Sequence, residues 1–403
     1  MDLKSGCPYW QIRDGLVAAY PALEADLTCD VAVIGGGITG ALVAFHLVEA
    51  GAAVIVLDGR EMGWGSTSAT TALLQYELDP SLDELGSLIG PEAAAECYRA
   101  ARDGVERVAA IAMALGDVCG LARRSSVYLA TRKQDVPALA REQARRMEAG
   151  FDVELWDEAG IQRRFPFTRP AALYTRDAAE IDPYRFTHAL LGTASKSGLR
   201  AYDRTLVGSI DLDRGGVFPV RLNTERGHHV DARRVVFATG YETEQRLRQP
   251  SVKLRSTYAL ASEPLGGDAP WHERALIWET ARPYLYMRTT DDGRIIVGGE
   301  DDAFASPARR DRALPTKTAR LLRRFTALFP DLAIEPAFAW AGTFAETADG
   351  LPFIGAHAEY PNAWFAACYG GNGVPFGAVA GELIRDAWLG RANPRSTLFR
   401  FGR

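Results

Sequence analysis

Cys29-Asp30-Val31-Ala32-Val33-Ile34-Gly35-Gly36-Gly37-Ile38-Thr39-Gly40 is the stretch that decides the fold of this chain. The apolar run Val31 to Ile34 reads as a buried strand that ends in a glycine turn. Ala41 to Ala50 then carry a helical pattern stopped by Gly51, and Ala53-Val54-Ile55-Val56-Leu57-Asp58 reads as a second buried strand ending on a carboxylate. Gly35 permits the tight turn, Gly37 lets backbone N–H groups approach a pyrophosphate, and Gly40 lets the helix pack closely on the strand. The helix N-terminus turns its positive end toward the phosphates. Asp58, roughly twenty residues on, is placed to accept hydrogen bonds from a ribose diol, which argues against a 2′-phosphate. A bare glycine triplet would mean little; the complete strand, turn, helix, strand and acid predict a dinucleotide site.

The bulk properties suit a soluble enzyme. At 403 residues the chain exceeds what one core usually supports, so two domains are expected. A hydrophobic fraction of 47% and a charged fraction of 24% are ordinary for globular proteins. The net charge of −5, with Lys and Arg dispersed, gives no electrostatic reason to bind nucleic acid. Met1 to Leu27 holds six charged side chains and no apolar core of leader length, and no apolar run reaches the roughly twenty residues of a membrane span. The five cysteines (Cys7, Cys29, Cys97, Cys119, Cys368) lack metal or redox spacing and read as reduced, mostly buried thiols in a cytoplasmic protein.

Downstream, Gly63 to Tyr76 is dense in small and hydroxylated residues, Ser66, Thr67, Thr70 and Thr71 among them. Such a segment lets backbone pass close to a ligand and offers hydroxyl donors to phosphate; a polar surface loop has the same composition. Helical spacing covers residues 91 to 116 and Asp135 to Ala149, with a strand at Val127 to Ala130 between them. Strands at Leu206 to Leu212, Val217 to Thr224 and Ala232 to Ala238 follow, separated by glycine turns, and His228 and His229 read as solvated turn residues. Ala238-Thr239-Gly240 closes one buried strand in small residues. Near the end, Tyr369-Gly370-Gly371-Asn372-Gly373-Val374-Pro375-Phe376-Gly377 opens an apolar helix that runs through Trp388. A glycine-rich helix start puts free N–H groups and a positive dipole where negative charge can sit.

Together with Asp349-Gly350-Leu351-Pro352-Phe353-Ile354-Gly355, these blocks make the chain resemble the D-amino-acid-oxidase-like FAD enzymes, in their glycine oxidase, sarcosine oxidase and gamma-glutamylputrescine oxidoreductase branch. The resemblance runs from Cys29 to Gly390. It implies a mixed α/β architecture: a discontinuous, doubly wound FAD-binding domain (1–85, 183–247 and 340–403) and a substrate domain on a mixed antiparallel sheet (86–182 and 248–339). It implies FAD contacts at Gly35, Gly37, Ile38, Thr39, Gly40, Asp58, Gly59, Ser66, Thr67, Thr70, Thr71, Val207, Ala238, Thr239, Gly240, Gly342, Gly370, Gly371, Asn372, Gly373 and Val374. The implied reaction is oxidation of an amine or amino-acid C–N bond by hydride transfer to flavin N5, giving an imine that hydrolyses, with oxygen or another acceptor taking the electrons. A disulfide reductase would need a second fingerprint and a cysteine pair, and both are missing.

Departures from the family pattern narrow the substrate. Gly342 stands where covalent sarcosine oxidases place the tethering cysteine, so the resemblance implies noncovalent FAD. Phe344 replaces the arginine with which glycine oxidases hold a carboxylate, and Gly371 and Pro375 stand where a basic residue is usual. A buried carboxylate without a cation costs several kcal/mol, which favours an amine lacking an α-carboxylate. On Tyr284-Leu285-Tyr286-Met287-Arg288, strand alternation puts Tyr284, Tyr286 and Arg288 on one face, so Arg288 is expected either to bind an anion in the pocket or to pair with a surface acid. Glu300 falls in the register of a sarcosine-oxidase histidine, where it would hold a polyamine-like ammonium or be solvated. Tyr258 and Trp278 are candidate pocket walls, and Ile296 replaces the lysine that promotes oxygen reaction. Besides the oxidase, a dehydrogenase passing electrons to a quinone or protein partner and a non-catalytic flavin-binding subunit stay open.

Overall fold

The computed structural model describes residues 2–116, 118–247, 252–266, 269–367 and 370–403. Cys368 and Tyr369, at the head of the last glycine motif, lie outside the described residues. The strand that opens the fingerprint, Leu27–Ile34, is the centre of an eight-stranded sheet among the described residues, flanked in parallel by Val54–Leu57 on one side and His229–Phe237 on the other. Arg200–Tyr202 and Ala363–Ala367 extend the parallel order outward. Val31, Ala32 and Val33 have no exposed surface, as a strand covered on both faces requires. Chain order reverses direction across Leu27–Ile34, so the carboxyl ends of three parallel strands face one crevice at the switch point.

The helix after the turn spans Ile38–Glu49, three residues earlier than its apolar pattern begins, because Gly37 is its N-cap and Ile38-Thr39-Gly40 form its first turn. It packs under the closing helix Gly373–Trp388, and the long helix Pro91–Ala114 packs across the start of that closing helix. A Cβ on Gly104 would stand 2.5 Å from the Pro375 carbonyl oxygen, so a bare backbone here fixes where the closing helix begins. Helices appear at Pro91–Ala114 and Val136–Glu148, close to the expected spans.

A second sheet, ten-stranded among the described residues, is mostly antiparallel. Its central run is Pro336–Glu346, Lys253–Ser262, Ile295–Asp302, Leu285–Thr289 and Leu276–Glu279. Lys4–Gly6, Leu73–Leu74 and Pro336–Glu346 all join this sheet, although the first two lie inside segments expected to belong to the cofactor domain and the third straddles the expected boundary at residue 340. One sheet face carries Tyr258, Leu260, Val297, Leu285 and Met287 against Leu321, Phe325 and Leu328 of the helix Pro307–Leu328. The other carries Ala259, Ile296 and Trp340, which face the cofactor half of the molecule. No helix among the described residues is long and apolar enough to cross a membrane.

Candidate active site

A cavity of about 610 Å³ opens at the carboxyl ends of the parallel strands. Of the residues expected at the cofactor, Gly35, Gly37, Ile38, Thr39, Asp58, Gly59, Ser66, Thr67, Thr70, Val207, Ala238, Thr239, Gly240, Gly370, Gly371, Gly373 and Val374 line it. Gly40 does not: it lies beneath the turn, where a Cβ would stand 1.8 Å from the Gly35 carbonyl oxygen. Its part is to let helix and strand close on one another. The turn is braced on both sides, since Thr67 Oγ1 accepts the Ile38 N–H at 2.9 Å and Asp58 accepts the N–H groups of Gly36 at 2.7 Å and Arg60 at 2.8 Å. Burial pushes the Asp58 carboxyl above its usual range, against those backbone N–H donors. Gly37, the N-cap of the helix Ile38–Glu49, has no side chain to cap it, so beyond the Ile38 N–H held by Thr67 the positive end of that helix is left to the cavity. Ser66 Oγ is buried without a hydrogen-bond partner. An unshared hydroxyl, a helix start capped by a bare glycine and a glycine floor fit the diphosphate of a dinucleotide. Arg60 and Glu242, paired at 2.6 Å, form a rim that motif reading missed because an ion pair remote in sequence leaves no local signature.

A smaller cavity of about 170 Å³ continues inward. It shares Ser66, Thr70, Tyr241, Gly370, Gly371 and Val374 with the first, so the two adjoin. Thr71, Gly342 and Asn372, also expected at the cofactor, line this inner part. Asn372 Nδ2 donates to the carbonyls of Gln75 at 2.7 Å and Glu77 at 3.0 Å, tying the start of the closing helix to the cavity wall. Tyr284, Tyr286, Trp278 and Phe344 supply the aromatic surface. Tyr286 lies flat over Gly298, where a Cβ would stand 2.3 Å from the ring. Trp278 stacks on Tyr128 at 3.8 Å and donates to Ser126 Oγ at 3.1 Å. Burial drives the Tyr286 hydroxyl up to about 12, with Asp301 adding to the rise, so it stays protonated through the neutral range.

Among the described residues no Lys, Arg or His lines the inner cavity, whereas Asp79 and Glu77 do. Glu77 has Arg146 at 3.6 Å and accepts from Thr175 at 2.9 Å. Asp79 makes no ion pair among the described residues; its carboxylate accepts the Gly371 N–H, and burial raises its pKa against the pull of Arg282. Arg282 is exposed at the rim, stacked on Tyr284 at 4.7 Å.

Two expected substrate residues stand elsewhere. Arg288 does share a strand face with Tyr286, but residues 71 and 72 cover it. Its guanidinium donates to the carbonyls of Ala72 at 2.8 Å, Ile181 at 3.0 Å and Thr71 at 3.2 Å, and faces Glu180 at 3.5 Å. Together with Trp10, which donates to the Thr70 carbonyl, and Trp340, which donates to that of Ala69, it pins the 69–72 segment around the cavity. Glu300 has φ +58°, and the register between Lys253–Ser262 and Ile295–Asp302 shifts there, so two residues oppose Thr257. That bulge turns Glu300 to the helix side, where Arg324 donates to it at 2.7 Å. Asp301 turns the other way, beside Thr257 of the cavity wall. Tyr258 lies on the helix side as well, bonding Asp302 at 2.9 Å, and is no cavity wall. Asp79 and Asp301 escaped sequence reading: the first sits in an irregular segment, and a one-residue bulge displaces the second from the strand register.

The family model for DAO, FAD dependent oxidoreductase, matches residues 30–387. Glycine oxidase of Bacillus licheniformis is 27% identical over 91% of this chain and 94% of its own length. Gamma-glutamylputrescine oxidoreductase of Escherichia coli (strain K12) is 26% identical over 95% of this chain and 89% of its own. In three dimensions the chain superposes on glycine oxidase from Geobacillus kaustophilus with a TM-score of 0.79 at 21% identity, covering 94% of this chain and 99% of the other. The glycine cradle, the paired sheets and this match over most of the sequence agree: the chain belongs to the DAO family of FAD-dependent oxidoreductases.

Proposed function

We propose that this chain oxidises the C–N bond of a small amine, with noncovalent FAD in the larger cavity and the substrate in the smaller. The observation that carries this reading is that the two spaces adjoin at Gly370, Gly371 and Val374, with an inner wall that holds aromatic rings and carboxylates but no described cation. Bound FAD would supply the hydride acceptor. The chain's own residues orient and enclose: Tyr284, Tyr286, Trp278 and Phe344 shape a slot, and the segment 69–72 closes it. An α-carboxylate entering this slot would lose its hydration without gaining a cation, which disfavours ordinary amino acids. Noncovalent attachment is supported by Gly342 in the inner wall and by the described cysteines, none of which lines either cavity. We assign 1–85, 183–247 and 340–403 to the cofactor domain and a cytoplasmic location to the protein.

Tyr286 and Arg288 then divide the work: the first touches substrate, and the second holds the segment that encloses it. Because the reacting amine must be neutral, the rate of flavin reduction rises with pH along a single ionisation. An anaerobic screen of amines and amino acids, read as loss of oxidised-flavin absorbance, tests the reading; bleaching by amino acids alone would contradict it. A second reading, a dehydrogenase with an acceptor other than oxygen, is favoured by Ile296, which is fully buried beside Trp340 and brings no cation to the flavin side of the sheet. Dye reduction much faster than oxygen consumption would select it.

A further inference from the structure

The charges around the inner cavity do not cancel. Glu346 is ion-paired with Arg255, and Glu77 shares Arg146 with Glu142, which holds it at 2.6 Å. That leaves Asp79 in the wall and Asp301 behind Thr257 against the exposed Arg282 at the rim. Asp79 stands where the two cavities meet: one of its carboxylate oxygens lies 3.5 Å from where a Gly371 Cβ would be, and Gly371 borders both spaces. Next to it, Thr257 lines the wall and Asp301 lies buried behind it, beside the Thr257 hydroxyl. Buried polar atoms are rarely left unpaired, and a carboxylate without a donor is costly. Asp79, a wall carboxylate without an ion pair among the described residues, therefore points to a ligand that brings positive charge and N–H donors.

A simple monoamine does not meet that demand. Its nitrogen must shed its extra proton before the C–H bond yields hydride, so at the moment of reaction it carries no charge. A diamine does: one nitrogen reacts neutral while the other remains an ammonium with three donors. We propose that the inner cavity selects a diamine or polyamine, with Asp79 as the specificity-determining residue that anchors the non-reacting ammonium and Thr257, backed by Asp301, as its supporting acceptor. The proposal rests on the amine-oxidation reading above and names its substrate class.

The test compares 1,4-diaminobutane, n-butylamine and 4-aminobutanoate on the holoenzyme. Dissociation constants come from perturbation of the oxidised-flavin spectrum and rates from anaerobic flavin reduction. The diamine is expected to exceed butylamine by about 10- to 100-fold in reduction rate over dissociation constant, as one charge-assisted anchor predicts, and 4-aminobutanoate to rank last. Asp79→Asn lowers the diamine-to-butylamine ratio to within about threefold of one, whereas Asp79→Glu, which keeps the charge, retains at least part of the preference. A diamine no better than butylamine, or a ratio unmoved in Asp79→Asn, overturns the proposal and leaves amine oxidation standing. Failure of every compound to perturb or bleach the flavin overturns both.

Discussion

The cofactor cradle and the inner cavity wall are neighbours built on opposite terms. The cradle is made of backbone: glycines, helix starts and strand ends, all drawn from the crevice at one switch point. The inner wall is made of side chains from at least five separated segments, around residues 70, 79, 257, 286 and 344. Backbone recognition tolerates little, because an added Cβ meets fixed main chain; side-chain recognition can be retuned without touching the fold. The difference teaches why a flavin half can be held constant while the chemistry beside it is altered.

If that contrast is right, a methyl group in the cradle should do more damage than a lost charge in the wall. Gly40→Ala, which forces a Cβ against the Gly35 carbonyl, is expected to weaken FAD binding at least tenfold, or ~1.4 kcal/mol, in a fluorescence titration of the apoprotein. Normal flavin content in that variant would break the comparison. Arg288→Met tests the frame between the two regions. It strands the carbonyls of Thr71, Ala72 and Ile181, while Glu180 keeps Arg124 at 2.7 Å, and should cost about 1–3 kcal/mol in denaturant unfolding. An unchanged midpoint would return Arg288 to the substrate-binding candidates.

Within the wall, effects should be smaller. Tyr286→Phe keeps the ring over Gly298 and removes the hydroxyl, so amine oxidation should slow by about 2- to 10-fold with FAD affinity unchanged. Asp301→Asn carries a pH signature. Burial raises this carboxyl to about 6, with Asp79 and Glu346 adding to the rise and Thr257 and Arg255 opposing it. The unfolded value is ~3.9, so the native state holds the proton more tightly, and Asp301 destabilises the fold increasingly as pH rises through that interval to about 6. The variant should therefore melt about 2 °C higher than wild type above pH 7, with the gap closing toward pH 4. A gap that widens in acid would reverse the assignment of cause.

Legibility follows the same division. The order of strand, turn and helix between Val31 and Glu49 could be read, with the helix start misplaced by three residues, because their demands are local: apolar runs for burial and glycine for contact. The helix start at Gly373 was legible for the same reason. Glu300 was not, because one residue of bulge, at φ +58°, exchanges the faces that alternation assigns to Glu300 and Asp301. Arg288 obeyed alternation, yet its surroundings are decided by where residues 69–72 lie, and that depends on Trp10 and Trp340 from distant parts of the chain. Asp79 belongs to an irregular segment with no period, and its meaning comes only from Gly371 coming to rest beside it.

An anaerobic single turnover tests the account most directly. The purified holoenzyme is mixed with 1,4-diaminobutane, and the loss of oxidised flavin is compared with the carbonyl product and the released ammonia. One 4-aminobutanal, free or closed to its cyclic imine, and one ammonia are expected for each flavin reduced; a flavin that stays oxidised, or bleaches without either product, would contradict amine oxidation.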